Sequence, residues 1–190
     1  MRYYVLLLVC LIALWACDRH STPKPRGFFR IALPEKAYQA TGEYYPYWFE
    51  YPVYAEFVPD TRSWAEDYWA DLVFEEFNAR IHLSYKPISS DDELRAYVED
   101  ARTFVHKHIP KATGIRDEVF VHEEHQVYGM LYRIRGREVA SALQFYATDS
   151  TSHFLRGALY FNLTPNNDSL APVIDFIEED IRHLLWSLRW

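Results

Sequence analysis

A chain of 190 residues with 27 acidic and 20 basic side chains has a formal net charge of −7 and a pI near 5.6. No basic cluster interrupts that balance, which argues against nucleic acid or an anionic membrane face as partner. Six glycines leave no phosphate-cradling loop, and both cysteines lie within the first seventeen residues.

Those first residues have the three parts of an export signal. Arg2 supplies a short positive region, Tyr3 to Trp15 is apolar, and the small Ala16 stands before Cys17. At about fourteen residues the apolar run is shorter than the roughly 20 that span a bilayer as a helix. Leu14-Trp15-Ala16-Cys17 resembles a bacterial lipobox, although Trp15 is bulkier than that pattern usually carries. The resemblance implies that the Cys17 thiol receives a diacylglyceryl group and that cleavage makes it the first residue; the alternative is a plain secretory signal with an incidental cysteine. Residues 1–16 are then the signal peptide. Cys10, a small hydrophobe, leaves with it. Residues 17–26, polar and holding Pro23 and Pro25, read as an extended tether. A mature chain with one thiol forms no internal disulfide, so a core must supply stability, and about 170 residues suffice for one.

From residue 27 to 190 no repeat or linker divides the sequence, and a single domain is expected. "GFFRIALP" predicts a strand closed by Pro34. "EYYPYWFEYPVYAEFVP", cut at Pro46, Pro52 and Pro59, suits short or edge strands. In "NARIHLSYKPI", Ile81, Leu83 and Tyr85 alternate with His82, Ser84 and Lys86, as in a half-buried strand. Ser90-Asp91-Asp92-Glu93 is a capping box. Behind it Leu94, Tyr97, Val98, Ala101, Phe104 and Val105 form one helical stripe that Pro110 ends. Four strands follow: "DEVFV", then "VYGMLYRI", linked through Arg135-Gly136 to "VASALQFYAT", then "HFLRGALYFNL" after the turn "DSTS". Asp168 or Ser169 caps a last helix with Pro172 in its first turn. Its apolar side is Leu170, Val173, Ile174, Ile177, Ile181, Leu184, Leu185 and Leu188, and the acids of "DFIEED" face away. The order predicts an α+β domain, an antiparallel sheet packed against two main helices.

Chemistry is harder to find. His122-Glu123-Glu124-His125 holds metal-ligand types, but between two strands the spacing reads as a solvated hairpin loop. His106 and His108 lie near a helix end, where they favour its dipole, and no third ligand accompanies them. Asp149, Ser150 and His153 have the residue types of an acyl-transfer triad, yet they fall within one turn and no G-x-S-x-G elbow is present. No catalytic residue, metal or cofactor is expected. The aromatic run Tyr44, Tyr45, Tyr47, Trp48, Phe49, Tyr51 and Tyr54 reads first as core packing and second as a partner-binding patch. Asp149-Ser150-Thr151 and Asp168-Ser169-Leu170 look like the Asp-Ser/Thr-apolar triplets that Bacteroidetes glycosylate in the periplasm, and Ser169 has a second reading as a helix start.

Taken together, "PKPRGFFRIALPEKAY", "IHLSYK", "QFYATDSTSHFLRGALYFN" and "PNNDSLAPVIDFIEEDI" resemble the GldD family of gliding-motility lipoproteins of the Bacteroidetes. The likeness covers nearly the whole mature chain and is loosest at "VPDTRSWAEDYW". It implies a non-enzymatic, lipid-anchored envelope protein facing the periplasm. Such a protein serves gliding and the linked type IX secretion machinery beside other gliding-motility lipoproteins. Only Cys17 carries over as a functional residue. The element order also faintly resembles the Mog1/PsbP-like fold, which says nothing of function. A periplasmic hydrolase or ligand-binding module with a hidden site is the competing reading, and a pocket with convergent polar groups would favour it.

Overall fold

Two antiparallel sheets and two helices account for most of residues 31–190, the part of the chain that the computed structural model describes. β1 (Tyr38–Ala40) and β2 (Glu50–Pro52) pair as a small ribbon. The main sheet begins with the hairpins β3 (Glu56–Pro59), β4 (Ala70–Phe74) and β5 (Ala79–Pro87). After helix α1 (Asp91–His106) the chain lays down the meander β6 (Gly114–His122), β7 (Val127–Arg135), β8 (Leu143–Thr148) and β9 (His153–Phe161). β9 returns to pair with β5, so the seven strands run β3-β4-β5-β9-β8-β7-β6 with every neighbour antiparallel. Helix α2 (Asn167–Ser187) closes the domain. The α+β architecture is the expected one.

The period-2 alternation decides which helix each side chain meets. From β5, Ile81, Leu83 and Tyr85 join the core cluster that also holds Val173, Ile174, Ile177, Ile181, Leu184 and Leu185 of α2. Phe145 and Leu155 join from the neighbouring strands. At this face β9 carries Gly157, because the Phe145 ring lies where a Cβ would be, 2.2 Å from it. The other face meets α1 through Val105 against Tyr132, Ile134 and Val139, and through Ala101 against Ile88 and Phe154. Helix α1 begins as predicted: the Glu93 N–H donates to Ser90 Oγ at 3.3 Å. The glutamate reaches back one residue further than a standard box, accepting from the Ser89 N–H at 2.8 Å.

Several expectations need correction. Residues 27–30 of "GFFRIALP" lie outside the described residues, and Ile31 to Pro34 form no strand. The first strand instead starts at Tyr38, because Pro52 and Tyr51 of β2 are what it pairs with. β4, "ADLVF", was not foreseen, since Asp71 interrupts the apolar run and no turn residue marks its ends. The link after β7 is longer than Arg135-Gly136: β8 starts at Leu143, once Val139 has packed under α1. Helix α2 starts earlier than Asp168, with Asn166 as its N-cap, so Pro172 lies beyond the first turn. The acids of "DFIEED" do not all face away either. Asp180 is 2% exposed. Its carboxylate accepts from Lys36 Nζ at 2.7 Å, Tyr54 O–H at 2.7 Å and Tyr38 O–H at 3.1 Å. Lys36 also sits over the Phe176 ring, 3.4 Å from its centroid. Three donors repay the desolvation of that buried carboxylate, and they fasten the segment before β1 to α2. Glu178 likewise bridges Arg133 and Arg182.

Candidate functional site

Helix α1 covers the β7–β9 part of its face and leaves the β4–β5 part open. The loop that carries Asp60 to Trp69 rises on the far side, and between loop and helix lies a groove of about 510 Å³. Trp64, Trp69, Tyr97, Phe104, Phe154 and Tyr160 wall it, with Ala101 between them. A hollow of about 590 Å³ lies at the turn between β4 and β5, but three of its polar side chains are already engaged: Asn78 Nδ2 donates to the Asn162 carbonyl at 3.0 Å, and Arg80 and His82 hold the Asp71 carboxylate. Apolar walls with a few convergent polar groups are the usual mark of a binding site, and the first groove has them.

Most charges in the groove are neutralised. Arg62 is held by Asp60, with Nε donating to Oδ1 at 2.8 Å, and this guanidinium keeps the Asp60 carboxyl below its ordinary value. Lys86 pairs with Glu66, and Arg80 Nη1 with Asp71 at 3.0 Å. His82 Nδ1 meets the other Asp71 oxygen at 2.5 Å. Two of these cations also cover indoles: Arg62 lies 4.0 Å from the Trp64 ring centre and Lys86 lies 5.7 Å from that of Trp69. Trp69 is turned by its Nε1–H, which donates to the Tyr85 carbonyl at 3.1 Å.

Among the cations of the groove, Arg156 is the exception. It stands on β9 between Phe154 and Tyr160 on the same face, and no carboxylate among the described residues pairs with it. Its Nη2 donates to Gln144 Oε1 at 2.8 Å, and its guanidinium lies 4.3 Å from the Phe104 ring centre. Gln144 is 2% exposed and its Nε2 has no hydrogen-bond partner in the described residues. Burial pulls the Arg156 pKa down, as expected of a cation that has lost water without gaining an anion. An arginine still stays charged at neutral pH. Burial, and then the nearby Arg156 charge, also lowers the pKa of His108.

The family model for the gliding motility lipoprotein GldD matches residues 18–190. The chain belongs to that family. It is thus a gliding-motility lipoprotein, and no helix of the described residues is long and apolar enough to cross a membrane. Among solved structures it is similar to cyanobacterial PsbP from Synechocystis sp., at 13% identity and a TM-score of 0.47, over 81% of this chain and 95% of that one. At that score the likeness carries no argument. No curated protein sequence matches.

Cys17, the signal peptide and the tether lie outside the described residues. The other candidates do not converge. Asp149 Oδ1 accepts from the backbone N–H groups of Thr151, Ser152 and His153, each within 2.9 Å, so this carboxylate builds the β8–β9 turn. Those bonds outweigh partial burial and hold its pKa low. His153 faces elsewhere, with Nδ1 bonded to the Tyr85 hydroxyl at 2.8 Å and its ring stacked on Trp190. Ser150 is exposed with φ 70°, the left-handed conformation of a tight turn. The rings of His122 and His125 stack at 4.3 Å, 13° from parallel, with Trp186 edge-on to the first. Parallel stacked rings do not aim their nitrogens at one metal position. His106 is exposed on α1 and does not join His108. In the aromatic run Tyr47 and Phe49 are 1% and 0% exposed and belong to the core, while Tyr44 is 80% exposed.

Sequence reasoning missed the groove. One signal for it was present: Arg156 is a charge inside an otherwise apolar strand, two residues from Phe154. The other was the indole pair Trp64 and Trp69, placed in the loosest segment of the family likeness.

Proposed function

We propose that the protein is a non-catalytic component of the gliding and type IX secretion apparatus. Acyl chains on Cys17 hold it to a membrane, the domain faces the periplasm, and the groove beside α1 receives a partner. The observation that carries this reading is the family match, which begins at residue 18, directly after the lipobox cysteine. Two or more acyl chains make such anchoring stable, at about 0.8 kcal/mol per buried CH₂. The tether and the anchor keep the domain at high effective concentration near membrane-bound partners, for which other gliding-motility lipoproteins are the natural candidates. Ser150 and Ser169 are both exposed and are proposed as O-glycosylation sites. The experiment is metabolic labelling of cells with a fatty-acid analogue: the unaltered protein takes up label and Cys17→Ala does not. Equal labelling of the two contradicts the reading.

A second reading, as a hydrolase, has one specific observation in its favour. Asp71 orients the His82 ring, and Ser84 lies two residues along the same face of β5. Against it, none of the hydrogen bonds among the described residues joins Ser84 to His82, and Arg80 shares the Asp71 carboxylate. A working triad needs that serine–histidine contact and preorganised oxyanion donors. The backbone N–H groups here belong to a sheet interior, committed to the β4–β5–β9 ladders.

A further inference from the structure

The groove holds a cation that the fold itself does not need as an ion-pair partner. Its lining holds three cations, Arg62, Lys86 and Arg156, and the carboxylates of Asp60 and Asp100, with Glu66 paired to Lys86. Arg62 and Lys86 are already paired, and only Arg156 lacks a carboxylate. A guanidinium is a planar fork suited to a bidentate carboxylate. Here that fork is stacked on Phe104 and steadied by Gln144 Oε1, so it is preorganised, and the buried Gln144 Nε2 beside it has no hydrogen-bond partner among the described residues. A guanidinium with no carboxylate partner calls for an anionic group on the occupant.

The surroundings narrow what bears that group. Sugars stack on open aromatic faces, and Arg62 and Lys86 each take one face of the two indoles. The exposed apolar surface is instead a slot between Trp64, Phe104 and Tyr97, of the kind that takes aliphatic or aromatic side chains. A chain-terminal carboxylate is captured by clustered backbone N–H groups. The floor offers none, because β5, β9 and β8 use theirs in the ladders. A carboxylate arriving here meets side-chain donors alone, which suits an acid projecting down from a segment lying over the slot.

We propose that the groove binds a peptide segment of a partner protein in which a Glu or Asp side chain is flanked by aromatic or aliphatic residues. The carboxylate pairs with Arg156, and the flanking side chains fill the slot between Trp64, Tyr97 and Phe104. This rests on the binding reading above and names the chemistry of the partner.

The test uses the full chain in lipid nanodiscs and calorimetric titration with acetyl-Phe-Glu-Phe-amide and acetyl-Phe-Gln-Phe-amide. Both peptides share their apolar groups, so lipid partitioning cancels in the comparison. The glutamate peptide should bind roughly tenfold tighter or more, since a hydrogen bond to a charged group is worth about 1.5–3 kcal/mol. Arg156→Gln should abolish that gap, and Trp64→Ala should weaken both peptides while keeping it. Equal affinities in the unaltered protein, no binding of the glutamate peptide, or a gap that survives in folded Arg156→Gln each overturn the proposal. So does a glucuronate-containing disaccharide that binds more tightly than either peptide, which would assign the groove to a glycan. Should Arg156→Gln not melt cooperatively, the gap in the unaltered protein and its persistence in Trp64→Ala decide alone. Labelling at Cys17 is read separately, so loss of the peptide result with normal labelling removes this proposal and leaves the lipoprotein reading intact.

Discussion

Under α2 the sheet presents Leu72, Phe74, Ile81, Leu83, Phe145, Leu155 and Leu159, none more than 2% exposed, and ion pairs seal the margin at Asp180, Glu178 and Glu118. Under α1, only Ala101 and Val105 of the helix are buried, Phe104 is 42% exposed, and half the strand face is left to the groove. One face puts its polar groups to structural use and satisfies them. The other holds a half-buried guanidinium with no counter-ion beside unused aromatic surface. Charge and shape left unsatisfied by the fold are available to a partner, so the α2 side reads as stability and the α1 side as recognition.

The comparison breaks most visibly through a charge placed on each helix. Leu184→Asp buries an unpaired carboxylate at a position 1% exposed and should leave no cooperatively folded domain. Phe104→Asp, on α1, should stay folded. Circular dichroism melts of the two variants check this, and a native-like melt for Leu184→Asp would show α2 to be peripheral. A step smaller is Asp180→Ala, which strands Lys36 and two tyrosine hydroxyls and should cost about 3–5 kcal/mol in chemical denaturation. Its success would show that the segment before β1 is truly clamped to α2. Smaller again is an acid effect at Glu118. Hydrogen bonding to Arg182, and next to Arg116, holds its pKa at about 2, against 4.5 for the free side chain. A depressed carboxylate stabilises the fold above its unfolded value, so that contribution should fade as pH falls from about 4.5 to about 2. In Glu118→Gln the stability curve should be flatter across that window.

Much of this fold was legible because the α2 face obeys simple periods. The alternation in "RIHLSYK" and the spacing from Val173 to Leu185 each point to one buried side, and both sit where expected. Asp180 escaped because a buried acid looks like a surface acid until its donors are known, and Lys36, Tyr38 and Tyr54 are far away in sequence. β4 escaped because Asp71 breaks its pattern, for a reason visible only in space: it anchors Arg80 and His82 of the next strand. The groove could not be read at all from neighbours in sequence. Its walls come from the loop after β3, from β5, from α1 and from β9, and only the return of β9 beside β5 brings them together. The triad-like turn shows the converse, since closeness in sequence put Asp149 on the backbone of His153 and left the ring to Tyr85.

Complementation of gliding bears most directly on whether the protein works by binding or by chemistry. In a strain lacking the gene, copies are compared after the level of protein in the envelope has been matched. Copies with His82→Ala, Ser84→Ala, Ser150→Ala, His153→Ala, or His122→Ala with His125→Ala should restore gliding and the type IX secretion proposed above nearly in full. A copy with Trp64→Ala and Arg156→Gln together should restore them poorly. Cells that stay immobile with a normally accumulated His82→Ala or Ser84→Ala protein, while the Trp64 and Arg156 double variant glides, would contradict a binding role and hand the groove to catalysis.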